Sequence, residues 1–274
     1  IIDDASNDQT YQVGVKHIKK IKNNFKFTIL KNPINQGYGG NQKIGYDYAI
    51  KKNFDFVALL HGDGQYAPEY LTKLIAPLNL GKANAVFGSR MIKNTDAIKG
   101  GMPIYKFIGN KILTFLQNKL LNTKLSEFHS GYRVYEVNFL KKIPFYLNTN
   151  DFHFDTEIII QILFFKGKIK EIAIPTYYGE EICHVNGIKY AFNVITTSII
   201  AKMQKYNLLY DRRFDVLEDD NSHYTSKLKW ESPHSLAFKA SRKSKKILDM
   251  GCAGGELIEK LSLSNKKISA VDKF

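Results

Sequence analysis

Apolar and polar positions alternate through the first half of the chain in short runs separated by Asn- and Gly-rich breaks. Ile1–Asp3 reads as the end of a strand, and the stretch from about Asp8 to Asn23 as a helix. A strand at Lys26–Leu30, a loop over Asn32–Gly40, a helix over Asn41–Lys52 and a strand over Phe54–Leu60 follow. Pro68 suits the first position of the next helix, and Ala83–Gly88 reads as another strand. Alternation at this spacing predicts an α/β sheet with parallel strands. In Ile104–Leu121 the apolar residues Phe107, Ile108, Ile112, Phe115, Leu116 and Leu120 recur with a helical period, with Lys106, Lys111 and Lys119 among them. Such a helix either faces the core or lies as a basic amphipathic helix on a membrane surface. The same choice applies to Tyr190–Lys205. From about Tyr206 to Ser244 periodicity is lost, which reads as a linker with one short helix. A new unit then begins: strand Lys246–Met250, loop Gly251–Gly255, helix Glu256–Leu263 and strand Ile268–Asp272.

A length of 274 residues suits one domain plus a fragment, or two small domains. No apolar run approaches the roughly 18 to 20 residues that span a bilayer; Ile158–Phe165 is short and broken by Gln161. The opening Ile-Ile-Asp-Asp has neither a basic leader nor a starting Met, so the chain reads as truncated, beginning at the end of a strand. Cys183 and Cys252 fit no zinc or redox spacing, which points to a reducing, cytoplasmic setting. The net charge of +14 points to an anionic partner: nucleic acid, a membrane face or phosphorylated substrates. Most of the excess is Lys in a chain also rich in Asn and Ile, so it carries little weight. The arginines, Arg90, Arg133, Arg212, Arg213 and Arg242, are scarce enough to mark places that need bidentate geometry.

The densest chemistry is His61-Gly62-Asp63-Gly64-Gln65-Tyr66, directly after the apolar run Phe56–Leu60. Ligands bind at the carboxyl ends of strands in such sheets. Asp63 can bind a hard cation whose shell is completed by substrate phosphates. His61 and Gln65 stand two residues to either side, on the same face of an extended segment. A plain polar turn is the alternative. Asp3 and Asp4 offer paired carboxylates to a nucleobase or ribose, whereas Ser6 or Asp8 can cap the next helix. Asn35-Gln36-Gly37-Tyr38-Gly39-Gly40 is a glycine-rich approach to a helix N-terminus that suits a phosphate or sugar.

In order, Asp3-Asp4-Ala5-Ser6, Asn35–Gly39, His61–Gln65, Gly88-Ser89-Arg90 and Ser130-Gly131-Tyr132-Arg133 resemble the motifs of the family 2 glycosyltransferases. The likeness is greatest to the dolichyl- or polyprenyl-phosphate sugar transferases and covers roughly residues 1–205. It implies a GT-A fold, a Rossmann-like mixed sheet flanked by helices, and a nucleotide-sugar donor held by Asp3, Asp4, Asn35, Gly37, Gly39 and Asp63. It further implies Mg2+ or Mn2+ on Asp63 and Gln65. Two positions depart from the family pattern: His61 stands where an Asp is usual in the metal motif, and Glu127 replaces an Asp three residues before Ser130.

The implied reaction is attack of an acceptor on the anomeric carbon, inverting it, with a nucleoside diphosphate leaving. A metal neutralises the departing charge. Arg90 and Arg133 would clamp phosphates, and Glu127 would act on the acceptor. A hydroxyl acceptor requires a general base, whereas a lipid monophosphate is already largely ionised at neutral pH. The basic helices favour a lipid phosphate, with peripheral association at the cytoplasmic face of a membrane; a glycan hydroxyl is the alternative acceptor. Asp155 and Glu157 read as helix-capping residues. A nucleic-acid-binding protein is the reading from a different class, but the basic residues are dispersed without an aromatic-basic motif, so no nucleic-acid partner is expected.

Ile247–Gly255 resembles the first motif of class I S-adenosylmethionine-dependent methyltransferases. The resemblance implies S-adenosylmethionine contacts from Asp249, Gly251, Gly254, Gly255 and Asp272, the last about 20 residues on, where an acid can hold ribose hydroxyls. Three stretches result: a glycosyltransferase domain over 1–205, a linker over 206–244 and a truncated Rossmann-like methyltransferase fragment over 245–274. The cofactor would bind only to a complete methyltransferase domain, in a bifunctional parent protein.

Overall fold

The computed structural model describes residues 1–21, 26–179, 185–215, 231–250, 256–262 and 267–271. The chain divides into two units, Ile1–Val216 and Leu217–Phe274. The first opens with β1 (Ile2–Asp3), paired in parallel with β2 (Leu30–Lys31) after helix α1 (Thr10–Lys20). The Asp8 carboxylate accepts from the backbone N–H of Thr10 at 2.9 Å in a local turn, but the N-cap is Gln9 and neither Ser6 nor Asp8 caps the helix as the sequence offered. The strand expected over Lys26–Leu30 shrinks to its last residue plus Lys31.

Helix α2 (Gly37–Lys51) starts inside the segment expected to be a loop. Its glycines allow this. Gly37 has φ +76°, and a Cβ on Gly39 would lie 2.5 Å from the Thr149 carbonyl oxygen. Then come β3 (Phe56–Leu59), a 3-10 turn at Pro68–Tyr70, α3 (Leu71–Asn79), β4 (Ala85–Ser89) and α4 (Asn94–Lys99). The chain continues through α5 (Ile104–Leu121), β5 (Arg133–Glu136), α6 (Val137–Leu140), α7 (Phe154–Phe164), β6 (Ile169–Ala173) and α8 (Gly187–Lys205).

The main sheet has the order β3-β5-β4-β6. β5 is antiparallel to both of its neighbours, while β4 and β6 are parallel. The all-parallel expectation from the alternation is therefore corrected to a mixed sheet. β5 and β6 escaped the sequence pattern because they carry charges, Arg133 and Glu136 in one, Lys170 and Glu171 in the other. One face of the sheet packs Phe87 and Tyr135 against Tyr46, Phe154, Ile158, Ile159 and Ile162. The other packs Val86, Tyr132 and Val134 against Leu74, Leu78 and Ile174. A helix apolar all round belongs in a core, and α7 is buried over Phe154–Ile162.

Two further expectations change. Helix α5 buries Asn110, Thr114 and Gln117 and exposes Ile108, Ile112 and Phe115, so it does not face the core with its apolar side. The first unit also extends past residue 205. Phe214 is fully buried beside Ile160 and Ala201, and Gln161 Nε2 donates to the Arg213 carbonyl at 2.9 Å.

The second unit holds α9 (Pro233–Ser241), β7 (Lys246–Met250), α10 (Glu256–Ser262) and β8 (Lys267–Val271), with β7 and β8 parallel. Ser232 caps α9 in a reciprocal box with Ser235. Asp249 lies in β7 opposite Ala270. Gly251, Gly254, Gly255 and Asp272, and both cysteines, lie outside the described residues. Among the described residues no helix is long and apolar enough to cross a membrane.

Candidate active site

The carboxyl end of β3 runs into the turn His61–Gln65, as the apolar run followed by polar residues predicted. Asp63 Oδ1 accepts the backbone N–H of Gln65 at 3.0 Å, closing a side-chain turn. Gly64 has φ +74°, and a Cβ on Gly62 or Gly64 would meet nothing within 4 Å, so open space lies over this turn. Asp63 keeps an exposed carboxylate, with Oδ2 4.0 Å from His61 Nδ1.

A cleft of about 880 Å³ opens beside the turn, lined by Leu60 and Gly62 just past β3 and by Asp3, Asp4 and Ser6 at and after the end of β1. The two carboxylates differ in what they have left to offer. Asp4 accepts from Asn32 Nδ2 at 2.7 Å and from the backbone N–H of Gln36 at 2.8 Å. Asp3 is 5 % exposed, and its Oδ2 has no hydrogen bond, with Lys31 Nζ 3.8 Å away. Asn35 joins the two ends: its Nδ2 donates to the Asp4 carbonyl and its Oδ1 accepts from the Gly37 N–H.

The glycine-rich segment does not act as an open phosphate loop. The Gly39 N–H donates to the Asn150 carbonyl at 2.8 Å, and a Cβ on Gly37 would stand 2.7 Å from the same oxygen. Gly37 and Gly39 are small so that α2 can press against residues 149–154. Between them, Tyr38 points to the centre of the site. Its hydroxyl donates to Asp155 Oδ2 at 2.8 Å and lies 3.4 Å from His61 Nε2. The His61 ring also meets Tyr38 and Tyr66 edge-on. Burial lowers the His61 pKa, and Asp155 and Asp63 only partly oppose this, so the ring is neutral at pH 7. Gly131 makes room for it: a Cβ there would lie 2.3 Å from His61 Cε1.

The arginines and acids near the site form closed networks. Burial disfavours the Arg90 charge, but the Glu127 carboxylate more than restores it, so the Arg90 pKa is raised. Burial likewise disfavours the Glu127 charge, and Arg90 outweighs it to hold this carboxyl below its usual range. Glu127 Oε1 accepts from Arg90 Nε and Nη2 and from Asn110 Nδ2, while Oε2 accepts from the Arg90 backbone N–H. Arg133 is 1 % exposed. Its guanidinium donates to the carbonyls of Ser130, Phe128 and Asp155 and lies 3.4 Å from Asp155 Oδ2.

These contacts correct three expectations. Arg90 and Arg133 hold the 126–133 segment rather than face solvent as phosphate clamps. Glu127 is buried with both oxygens bonded to Arg90, and its carboxylate exposes no lone pair to a substrate proton. Asp155 and Glu157 do not cap α7; they sit buried in its first turn, Asp155 on Tyr38 and Arg133, Glu157 on Arg213 and the Thr149 N–H. The sequence missed Tyr38, Tyr66 and Asn110 because an isolated aromatic or amide carries no pattern. The one available signal was Tyr38 lying inside a glycine-rich run.

Among the described residues no three His, Cys, Asp or Glu side chains converge to hold a divalent ion. One exposed carboxylate with a neutral imidazole beside it suits an ion that takes most of its shell from substrate phosphates and water.

Comparison with known proteins gives a consistent picture. The model of glycosyl transferase family 2 matches residues 1–144. The chain is 29 % identical over 216 residues to the UDP-N-acetylglucosamine–dolichyl-phosphate N-acetylglucosaminyltransferase of Methanococcus voltae, covering 75 % of this chain and 85 % of that protein. It is 22 % identical over 143 residues to the polyprenol monophosphomannose synthase of Mycolicibacterium smegmatis, covering 52 % of each. The fold resembles glucosyl-3-phosphoglycerate synthase of Mycobacterium tuberculosis, solved with Mn2+, UDP-glucose and phosphoglyceric acid. That match has a TM-score of 0.52 at 14 % identity, over 77 % of this chain and 69 % of the other.

Proposed function

The chain belongs to glycosyl transferase family 2 and is a glycosyltransferase, and on that premise we propose that it moves a sugar from a nucleoside-diphosphate donor onto a polyprenyl phosphate. The cleft between the ends of β1 and β3 takes the donor, with the Asp3 oxygen that has no hydrogen bond, 3.8 Å from Lys31 Nζ, accepting from its nucleoside. Asp63, with Gln65 and His61 beside it, would hold Mg2+ or Mn2+, which supplies Lewis-acid neutralisation of the leaving diphosphate. His61 stays neutral and keeps a lone pair for that role. An acceptor phosphate oxygen attacks the anomeric carbon from the face opposite the diphosphate. The new C–O bond forms as the bond to the β-phosphate oxygen breaks, with inversion, and no proton has to be removed.

The observation that carries the choice of acceptor is the closure of the acid networks. Glu127 and Asp155 are both buried and already bonded to arginine and to other donors. A hydroxyl acceptor needs a base within reach of its proton. A phosphate monoester, with a second pKa near 6, arrives as an ionised nucleophile. The names of the two relatives, each a lipid-phosphate transferase, point the same way. The test is a panel of nucleotide-sugars offered with a short isoprenyl phosphate or the matching isoprenyl alcohol, reading nucleoside-diphosphate release with Mn2+ and with chelator. Release that needs both the phosphate acceptor and the ion supports the reading; equal release with the alcohol contradicts it.

For residues 245–274 we keep the reading as the start of an S-adenosylmethionine-dependent methyltransferase. The parallel β7–β8 pair with α10 between them supports it. Retention of S-adenosylmethionine by a longer chain carrying the whole domain, and its loss on Asp272→Ala, would test that assignment.

A further inference from the structure

Helix α5 is inside out by the usual rule for a soluble protein. Its inward face carries Asn110, Thr114 and Gln117, all buried. Asn110 donates to Glu127, Thr114 to Asn110, and Gln117 to Thr156. Its outward face carries Ile104, Tyr105, Ile108, Ile112, Phe115 and Leu116, each between 38 % and 73 % exposed. Those positions follow one another at the spacing of a single helix stripe. Helix α8, packed beside it, repeats the arrangement: Val194, Thr197, Ser198 and Ala201 are buried, while Ile188 and Phe192 are 86 % and 70 % exposed. A soluble helix gains by burying its apolar stripe, at about 25 cal/mol per Å². Here two neighbouring helices leave theirs uncovered, and contiguous exposed apolar surface marks a docking face.

Charge decides what docks. Neither helix contains an Asp or Glu. Lys106, Lys111 and Lys119 punctuate α5, and Lys189, Lys202 and Lys205 punctuate α8. Apolar side chains among cations with no acids are the composition of a helix that lies in the headgroup region of an anionic membrane. An apolar protein partner would not call for this one-sided charge. The inner faces of the same helices reach the segments that frame the site, 126–133 and the start of α7. Asn110 meets Glu127, Tyr190 Oη lies 2.9 Å from His129 Nδ1, and Asn193 Nδ2 lies 3.4 Å from His153 Nδ1.

We propose that the outer faces of α5 and α8 together form the surface by which this chain docks onto an anionic lipid bilayer. The phosphate of a membrane-held acceptor is thereby presented to the side of the site that the 126–133 segment flanks. The inference rests on the lipid-phosphate reading above but fails separately from it. Docking places the apolar side chains at the acyl boundary and the lysines among the headgroups, so binding is strong on anionic vesicles and weaker in high salt.

The test uses the full chain and sedimentation with vesicles of phosphatidylcholine, with or without phosphatidylglycerol. The triple substitution Ile108→Glu, Ile112→Glu, Phe115→Glu is expected to lower partitioning onto anionic vesicles at least tenfold, and Phe192→Glu to lower it by a smaller factor. Lys111→Glu with Lys119→Glu should remove the preference for anionic lipid. Leu80→Glu and Tyr146→Glu, at exposed apolar positions elsewhere, should change nothing. The triple variant should still glycosylate a short water-soluble isoprenyl phosphate at the native rate while losing transfer to a long-chain acceptor in vesicles.

Unchanged vesicle binding in the triple variant would overturn the docking surface. So would a concentration-dependent dimer that the same substitutions dissolve, with no vesicle binding by the native chain. If the native chain binds vesicles but transfers to no phosphate acceptor, soluble or membrane-held, the docking surface stands and the assigned acceptor class falls.

Discussion

The turn after β3 and the segment Glu127–Arg133 flank the same site and are built in opposite ways. At the turn, Asp63 is exposed, the space above Gly62 and Gly64 is empty, and His61 is held only by ring edges and one long contact to Tyr38. At the segment, Arg90, Glu127, Arg133 and Asp155 are all buried, and their hydrogen-bonding groups are matched to one another and to backbone carbonyls. Charged residues near a site therefore divide into those with unfilled capacity, which meet ligands, and those already saturated, which hold the scaffold. Motif spacing does not distinguish the two kinds.

The most forceful way to break that contrast is to remove one partner of a saturated pair. Arg90→Ala leaves the Glu127 carboxylate buried without its cation, and Arg133→Ala strips hydrogen bonds from three carbonyls. Each should cost roughly 3–5 kcal/mol of stability, because an unpaired buried charge or polar group is left behind. Urea unfolding would check this. A clamp acting only on substrate would instead leave stability intact and abolish transfer.

Glu127→Gln sharpens the comparison. It keeps the shape but weakens charge-assisted hydrogen bonds, for an expected loss of about 1.5–3 kcal/mol. Turnover of the folded fraction should stay within a few-fold of native. A drop of about 100-fold or more, the scale of a lost general base, would restore Glu127 to catalysis. Gly131→Ala probes the open side. The new methyl group would push into the His61 ring, so Mn2+-dependent donor binding should weaken about tenfold while unfolding is little changed, in line with a ring whose lone pair helps hold the ion.

A separate effect is one of pH. Burial lowers the His129 pKa to about 4 from the usual 6.5. The unfolded chain therefore binds a proton near pH 6 that the folded chain refuses, so this residue favours folding less and less as pH falls from about 6.5 towards 4. Thermal melts across that window should show a steeper decline for the native chain than for His129→Asn. Parallel curves would mean that His129 titrates normally.

Much of this was legible in the residues. The element order from β1 to β4, the helix Ile104–Leu121 and the strand Lys246–Met250 follow from period and breakers, because those segments carry local information. Direction and pairing did not. β5 runs antiparallel between β3 and β4, a long-range fact that Arg133-Val134-Tyr135-Glu136 does not announce. The Asp63 turn was found because an apolar strand ending in ligand-type residues has a physical reason. The burial of Arg133 and Glu127 was not legible because it is set by packing from distant segments. The glycines at 37 and 39 were read for a ligand when their neighbour is the Asn150 carbonyl. The α5 pattern was visible, but which face it turns outward depends on Glu127 and Thr156 waiting inside for polar partners.

The central claim is that the open carboxylate of Asp63 brings a divalent ion to a nucleoside diphosphate. Calorimetric titration of UDP, and then GDP, into the native chain and the Asp63→Ala variant, each with Mn2+ and with chelator, tests it most directly. The account predicts one nucleotide bound tightly by the native chain with Mn2+, at least tenfold more weakly with chelator, and without Mn2+ enhancement in the variant. Equal Mn2+-enhanced affinity in both proteins would contradict it.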